Sequence, residues 1–167
     1  MHFHNVSSIY NMEAKATSNQ VRLGNEVKSN SPRETQQLAE KLAKTLKGGE
    51  TVALFGDLGA GKTVFVQGLA KGLGLKRKIT SPTFVFMRSY SLNIKGKKLT
   101  LHHLDLYRGQ NYQDFQSLGL EEIFTKDTIV VLEWADRIEG ILPKKRIDVT
   151  FENLNEKARK IKIDRRV

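Results

Sequence analysis

The run Gly56-Asp57-Leu58-Gly59-Ala60-Gly61-Lys62-Thr63 constrains this chain more than any other stretch. Its spacing fits G-x-x-x-x-G-K-[ST], a loop that wraps a phosphate chain between a strand and a helix. Glycines let the backbone curl tightly enough for successive N–H groups to point inward at one anion. Lys62 is then in reach of the β- and γ-phosphates, and the Thr63 hydroxyl can ligate a magnesium ion bridging them. A helix opening near Gly61 adds the positive end of its dipole.

The flanks agree with this reading. Thr51-Val52-Ala53-Leu54-Phe55 is apolar and partly β-branched, as a core strand should be. Downstream, Val64, Phe65, Leu69 and Leu73 recur at helical spacing, and Gly72 and Gly74 are helix-stop signals. A Gly-rich turn that merely carried a surface lysine would need neither flank. The loop reads as a nucleotide site.

A chain of 167 residues is expected to form one domain with a substantial core. No apolar run nears the roughly 18 residues that span a bilayer. Met1-His2-Phe3-His4 lacks the charged-then-apolar order of a secretory signal. The absence of cysteine excludes disulfides, thiolate catalysis and cysteine-based zinc sites. A soluble cytoplasmic protein without membrane contact is expected. The net charge of +10 gathers in Lys76-Arg77-Lys78, Lys95 to Lys98, Lys144-Lys145-Arg146 and Lys157 to Arg166. These clusters suit an acidic or nucleic-acid partner, or are solvated loop ends. No base-stacking aromatics interleave with them, so the charge permits RNA nearby without showing it.

Along the chain, residues 1–30 read as a poorly structured extension, with Val21 and Leu23 as a candidate edge strand. A single P-loop domain is expected over 31–167. Ser31-Pro32-Arg33-Glu34 reads as a capping box opening a helix whose apolar face is Leu38, Ala39, Leu42, Ala43 and Leu46. Val85 to Ser91 and Leu99 to Leu104 read as strands joined by a hairpin over Asn93 to Lys98. A helix broken at Gly119 is expected over Asn111 to Phe124. Ile129 to Leu132 is an unbroken apolar run, as in a strand buried on both faces. Arg146 to Phe151 and Ala158 to Ile163 close the domain as strands. The fold class is therefore α/β: a three-layer P-loop NTPase-like fold with a mixed, mostly parallel central sheet flanked by helices.

Two acids stand where apolar strands end. Glu133 follows Ile129 to Leu132 like a Walker B residue, and Asp105 ends Leu99 to Leu104. Ligands in open α/β sheets bind at the carboxyl ends of the strands, which is the loop's own edge. Each acid is placed for catalysis if its strand neighbours the loop strand in parallel, and is otherwise a helix cap or surface acid. Asp57, inside the loop, reads as a solvent-facing residue rather than a magnesium ligand. His102 and His103 point to opposite faces of one strand. One of them is a candidate buried partner for Asp105. Trp134 reads as core or as a cover for the site.

Four motifs now stand in order: the glycine loop, Ser81-Pro82-Thr83-Phe84, His103-Leu104-Asp105-Leu106-Tyr107-Arg108 and Glu133-Trp134. Together they resemble the TsaE (YjeE) family, bacterial ATPases of tRNA threonylcarbamoyladenosine synthesis, over about Ser31 to Val149. The resemblance implies that Gly56, Asp57, Leu58, Gly59, Ala60, Gly61 and Lys62 hold the phosphates of ATP. It also implies that Thr63 and Glu133 hold Mg2+, and that Lys62, Asp105 and Glu133 serve hydrolysis. Ser81, Pro82, Thr83 and Phe84 would form a switch loop, and the helix bearing Thr35 would lie on the adenine side. The implied partner is a TsaD–TsaB heterodimer, with tRNA contacted indirectly. Ala135 and Gly109 depart from the residues that commonly follow Glu-Trp and the Arg of the third motif.

Other functions remain open on residues alone. A small-molecule kinase would need an acceptor pocket and a mobile, Arg-bearing lid, and residues 109–124 contain no arginine. A GTPase would carry N-K-x-D and D-x-x-G, both absent. An RNA-binding module with a structural nucleotide would bind tRNA with steep salt dependence.

Overall fold

The computed structural model describes residues 26–82, 84–109 and 113–167. The elements in chain order are β1 (Glu26–Ser29), α1 (Pro32–Ala43), β2 (Thr51–Phe55), α2 (Lys62–Gly72), β3 (Met87–Ile94) and β4 (Lys97–Asp105). Two short helices follow, α3 (Gln113–Gln116) and α4 (Leu120–Ile123). Then come β5 (Thr128–Glu133), a 3₁₀ segment (Ala135–Ile141), β6 (Arg146–Asn153) and β7 (Arg159–Arg166). The strands form one seven-stranded sheet in the order β1-β7-β6-β2-β5-β4-β3. Strand β2 runs parallel to β5 and β6, and β5 runs parallel to β4. The outer pairs β1–β7, β6–β7 and β3–β4 are antiparallel. A mixed sheet with a parallel centre, as expected, therefore places the loop strand at its heart.

Apolar side chains leave both faces of the central strands, which explains their unbroken hydrophobic runs. Val52, Leu54, Leu101, Ile129 and Val131 pack beneath α1 and α2. Ala53, Leu104, Val130 and Leu132 meet the other layer, where Phe115, Leu120, Ile123 and Ile138 cover them. Gly119, at φ +58, breaks the helical stretch between α3 and α4. The start expected for that stretch, Asn111, lies outside the described residues, as do Val21 and Leu23. No helix among the described residues is long and apolar enough to cross a membrane.

Ser31 caps α1 in extended geometry, its hydroxyl accepting from the Glu34 N–H at 3.2 Å. The reciprocal bond differs from a strict capping box: the Glu34 carboxylate accepts from the Asn30 N–H at 2.8 Å. Helix α1 lies hard against α2. A Cβ on Gly68 would meet the Gln36 carbonyl oxygen at 2.4 Å, and one on Gly72 would meet the Ala43 Cβ at 2.6 Å. Both glycines are thus required by close helix packing.

Three boundaries differ from the sequence reading. Glu26–Ser29, within the stretch read as poorly structured, is an edge strand paired to β7. Three of its four residues are exposed, so no apolar alternation announces it. The hairpin turn is only Lys95-Gly96, both at positive φ, as a type I′ turn requires, so β3 and β4 run farther than expected. The start of β3 is delayed to Met87 by Phe86, whose φ is +55. Most of the basic C-terminal run is strand β7, and three of its cations meet acids: Lys160 pairs with Glu152, Lys162 with Asp164, and Arg166 with Asp148. Much of that charge is therefore neutralised within the sheet.

Candidate functional site

The glycine loop leaves β2 at Phe55 and enters α2 at Lys62, as its spacing demands. Gly56, Gly59 and Gly61 have φ of +142, +75 and +99, conformations that L side chains rarely adopt. Gly56 is also crowded, because a Cβ there would lie 2.8 Å from the Phe151 carbonyl oxygen. Around Gly59 and Gly61 there is open space, so backbone conformation rather than packing selects glycine. Ala60 is buried, while Asp57 and Leu58 are exposed. Gly61 is the N-cap of α2 and offers no side-chain acceptor. The first N–H groups of α2 therefore face the loop's concave side without intrahelical partners.

Lys62 is buried, at 4% exposure. Its ammonium donates to the carbonyl oxygens of Gly56 and Asp57 and lies 3.8 Å from the centre of the Trp134 ring. Burial pushes its pKa below the usual range, and Glu133, Asp136, Asp105 and Asp57 oppose that shift. Trp134 reaches over the lysine because its backbone is left-handed, at φ +62, directly after β5. Tyr107 packs beside the indole with ring centres 4.9 Å apart.

Opposite the loop stand the two acids. Asp105 and Glu133 are register partners at the ends of β4 and β5, and both are buried. Glu133 Oε2 accepts from the Thr63 hydroxyl at 2.7 Å, which joins the α2 N-terminus to the end of β5. Glu133 Oε1 lies 2.8 Å from His103 Nε2. Asp105 accepts from the Ser81 hydroxyl through Oδ2 and from the Tyr107 N–H at 3.1 Å through Oδ1. The expectation that a histidine partners Asp105 is thus corrected. His103 bonds Glu133, because i and i+2 on one strand share a face and the neighbouring strand supplies the nearer carboxylate. His102 faces away and bonds the Ser89 hydroxyl at 2.8 Å.

Loop, acids, Ser81, Tyr107 and Trp134 line one cleft of about 380 Å³. A second cavity of about 460 Å³ adjoins it across Gly59, Gly61 and Val64. Thr35 lines this second cavity with Asn30, Pro32 and Arg159, and its hydroxyl is engaged by Ser29 at 2.8 Å. Arg159 ties the loop to β7 by donating to the Gly59 carbonyl oxygen at 3.2 Å and the Asn155 carbonyl oxygen at 2.8 Å. Sequence reasoning missed Arg159 because it lies 100 positions beyond Gly59. Of the Ser81 to Phe84 segment, Pro82 is buried and Phe84 is 84% exposed under the Arg108 guanidinium at 4.7 Å. Thr83 lies outside the described residues.

The donor set suits a small hard cation. Magnesium takes oxygen ligands and usually needs only one or two from protein, the rest coming from phosphates and water. Thr63 Oγ1 and Glu133 Oε2 form such a pair beside the loop. Among the described residues no group of three or more His, Cys, Asp or Glu could hold a metal unaided. The Thr63 and Glu133 oxygens fit the protein's share of such a coordination shell.

Comparison with known proteins gives the chain its relatives. The family model described as "Threonylcarbamoyl adenosine biosynthesis protein TsaE" matches residues 29–161. A tRNA threonylcarbamoyladenosine biosynthesis protein TsaE from Bacillus subtilis is 38% identical over 130 residues, 78% of each chain. The protein of that name from Aquifex aeolicus is 38% identical over 143 residues, 84% of this chain and 96% of its own. The crystal structure of Bacillus subtilis YdiB superposes with a TM-score of 0.67 at 32% identity, covering 88% of this chain and 89% of that one. The chain belongs to the TsaE family.

Proposed function

We propose that this protein binds ATP with Mg2+ in the cleft between the glycine loop and the ends of β4 and β5, and hydrolyses it. The hydrolysis would serve threonylcarbamoyladenosine modification of tRNAs that read codons beginning with A. The observation that carries this reading is the 2.7 Å bond between Thr63 Oγ1 and Glu133 Oε2, at the mouth of a phosphate-type loop. A hydroxyl and a carboxylate side by side at that point support the binding of a triphosphate-bound cation.

Each residue then has a task. The loop amides and the N-terminal end of α2 hold phosphate oxygens. Lys62 leaves the carbonyl oxygens of Gly56 and Asp57 for the β- and γ-phosphates, a better partner for a buried ammonium. Thr63 and Glu133 hold Mg2+, which when bound neutralises charge developing on the phosphates. Asp105 has one bond to each oxygen from protein donors, so its remaining lone pairs are available to orient an attacking water. The cavity beside Thr35 and Arg159 takes the adenosine end. Ser81 couples the segment carrying Pro82 and Phe84 to Asp105, which suits a switch read by a partner. That partner is a TsaD–TsaB heterodimer, reset between turnovers by ATP hydrolysis in the cytoplasm.

The test is an ATPase assay of the chain with and without purified TsaD–TsaB, alongside binding of ATP with and without Mg2+. Slow hydrolysis alone and strong stimulation by the heterodimer are expected. Absence of complex formation and of stimulation would overturn the assignment. Phosphorylation of a metabolite in place of hydrolysis would make the protein a kinase.

A further inference from the structure

His103 is fully buried, at 0% exposure, and stands one layer beneath the acids on the α2 side of the sheet. It precedes Asp105 by two residues on β4, and its register partner on β5 is Val131, two residues before Glu133. That placement brings its Nε2 to 2.8 Å from Glu133 Oε1, while Glu133 Oε2 takes the Thr63 hydroxyl. An ionised carboxylate only accepts, so Nε2 carries the proton and donates. The other ring nitrogen, Nδ1, is buried with no hydrogen-bond partner in the protein. A ring with one nitrogen satisfied and the other orphaned has a strong preference for the side it faces. The imidazole is thus fixed in one tautomer with its single bond directed at one carboxylate oxygen.

From this geometry we infer that His103 is a positioning residue for Glu133. It pins Oε1 through Nε2–H and so presents Oε2 to Thr63 and to the cation that the proposed function places there. The inference rests on that reading. Without His103, the carboxylate is free to rotate about its last torsion or to turn toward the buried Lys62 ammonium, whose charge it already feels. An outer-shell partner of a metal ligand typically contributes ten- to a hundredfold in metal affinity.

The experiment titrates Mg2+ into the full chain with a fluorescent ATP analogue, for wild type, His103→Phe and His103→Gln. Phe keeps a flat ring of similar size and removes the donor, whereas Gln can return an N–H near the Nε2 position. The His103→Phe variant is expected to need roughly tenfold more Mg2+ or beyond for half-maximal effect. Its nucleotide affinity without Mg2+ should stay near wild type, and Gln should recover most of the loss. A purely structural histidine would lower the melting temperature and leave the Mg2+ requirement alone, which overturns the inference. A second readout uses wild type only. The ¹⁵N-coupled Nε2–H resonance of His103 should shift when Mg2+ is added to the nucleotide complex, and an unmoved resonance overturns the inference even if neither variant folds. Wild type that shows no Mg2+-dependent nucleotide binding would instead overturn the function proposed above.

Discussion

Asp105 and Glu133 are register partners on adjacent parallel strands, so two buried carboxylates stand side by side at one edge of the sheet. Their surroundings divide them. Glu133 is bonded to Thr63 and His103, on the glycine-loop side, whereas Asp105 is bonded to Ser81 and the Tyr107 amide, away from that loop. Equivalent positions on neighbouring strands thus acquire different partners, and different duties under the proposed function.

Removing the Glu133 carboxylate strands a buried N–H. Glu133→Ala leaves His103 Nε2 without its acceptor, at a cost of about 1–3 kcal/mol in unfolding free energy. Glu133→Gln keeps an acceptor oxygen and should lose less. Urea denaturation of the two variants checks the order, and equal stabilities would contradict it. Both should lose the Mg2+ dependence of ATP binding.

Lys62 links stability to alkaline pH. Burial lowers its folded pKa from the ordinary 10.5, so the folded chain releases this proton more readily than the unfolded chain. Between the lowered value and 10.5 the unfolded state binds more protons, and the contribution of this group to stability rises with pH. Lys62→Met should flatten that rise in denaturation curves taken across the alkaline range. The same variant should bind ATP roughly ten- to a hundredfold more weakly, the worth of a hydrogen bond to a charged group.

Asp105 should matter to turnover rather than to binding. Asp105→Asn is expected to slow single-turnover hydrolysis by about a hundredfold or more, while the dissociation constant for ATP changes little. Ser81→Ala, which removes one bond to Asp105, should have a smaller effect in the same direction. Unchanged hydrolysis in the Asp105 variant would remove that residue from the reaction.

Arg159 lines the second cavity and not the first. Arg159→Ala should weaken ATP binding several-fold more than it weakens binding of inorganic tripolyphosphate, because under the proposed function only ATP would reach the cavity beside Thr35. Competition titrations with both ligands measure the difference. Equal losses would assign Arg159 to support of Gly59 alone.

What was legible in the sequence was whatever chemistry is local. The glycine spacing, the strand before it and the amphipathic start of α2 lie within a few residues of one another, so pattern alone locates them. Glu133 and Asp105 were found because an acid after an apolar run is conspicuous. That β4 and β5 are neighbours, in a register pairing the two acids, depends on sheet order, which no short window encodes. The His103–Glu133 bond and the Arg159 contact with Gly59 arise from that order and were missed with it. Trp134 required a left-handed backbone at a non-glycine residue, which composition does not announce. Edge strand β1 escaped because its side chains are mostly exposed and its pairing supplies the structure.

Gly68 and Gly72 let α1 seat directly on the backbone of α2. That contact welds the floor of the cavity at Thr35 to the helix that bears Lys62 and Thr63, making one stiff saddle. The Thr63–Glu133 bond fastens that saddle to the rim of the sheet, where both acids stand and Ser81 is attached. Under the proposed function a nucleotide would lie across saddle and rim, and the fit between those two surfaces would decide whether the loop and the acids reach it together.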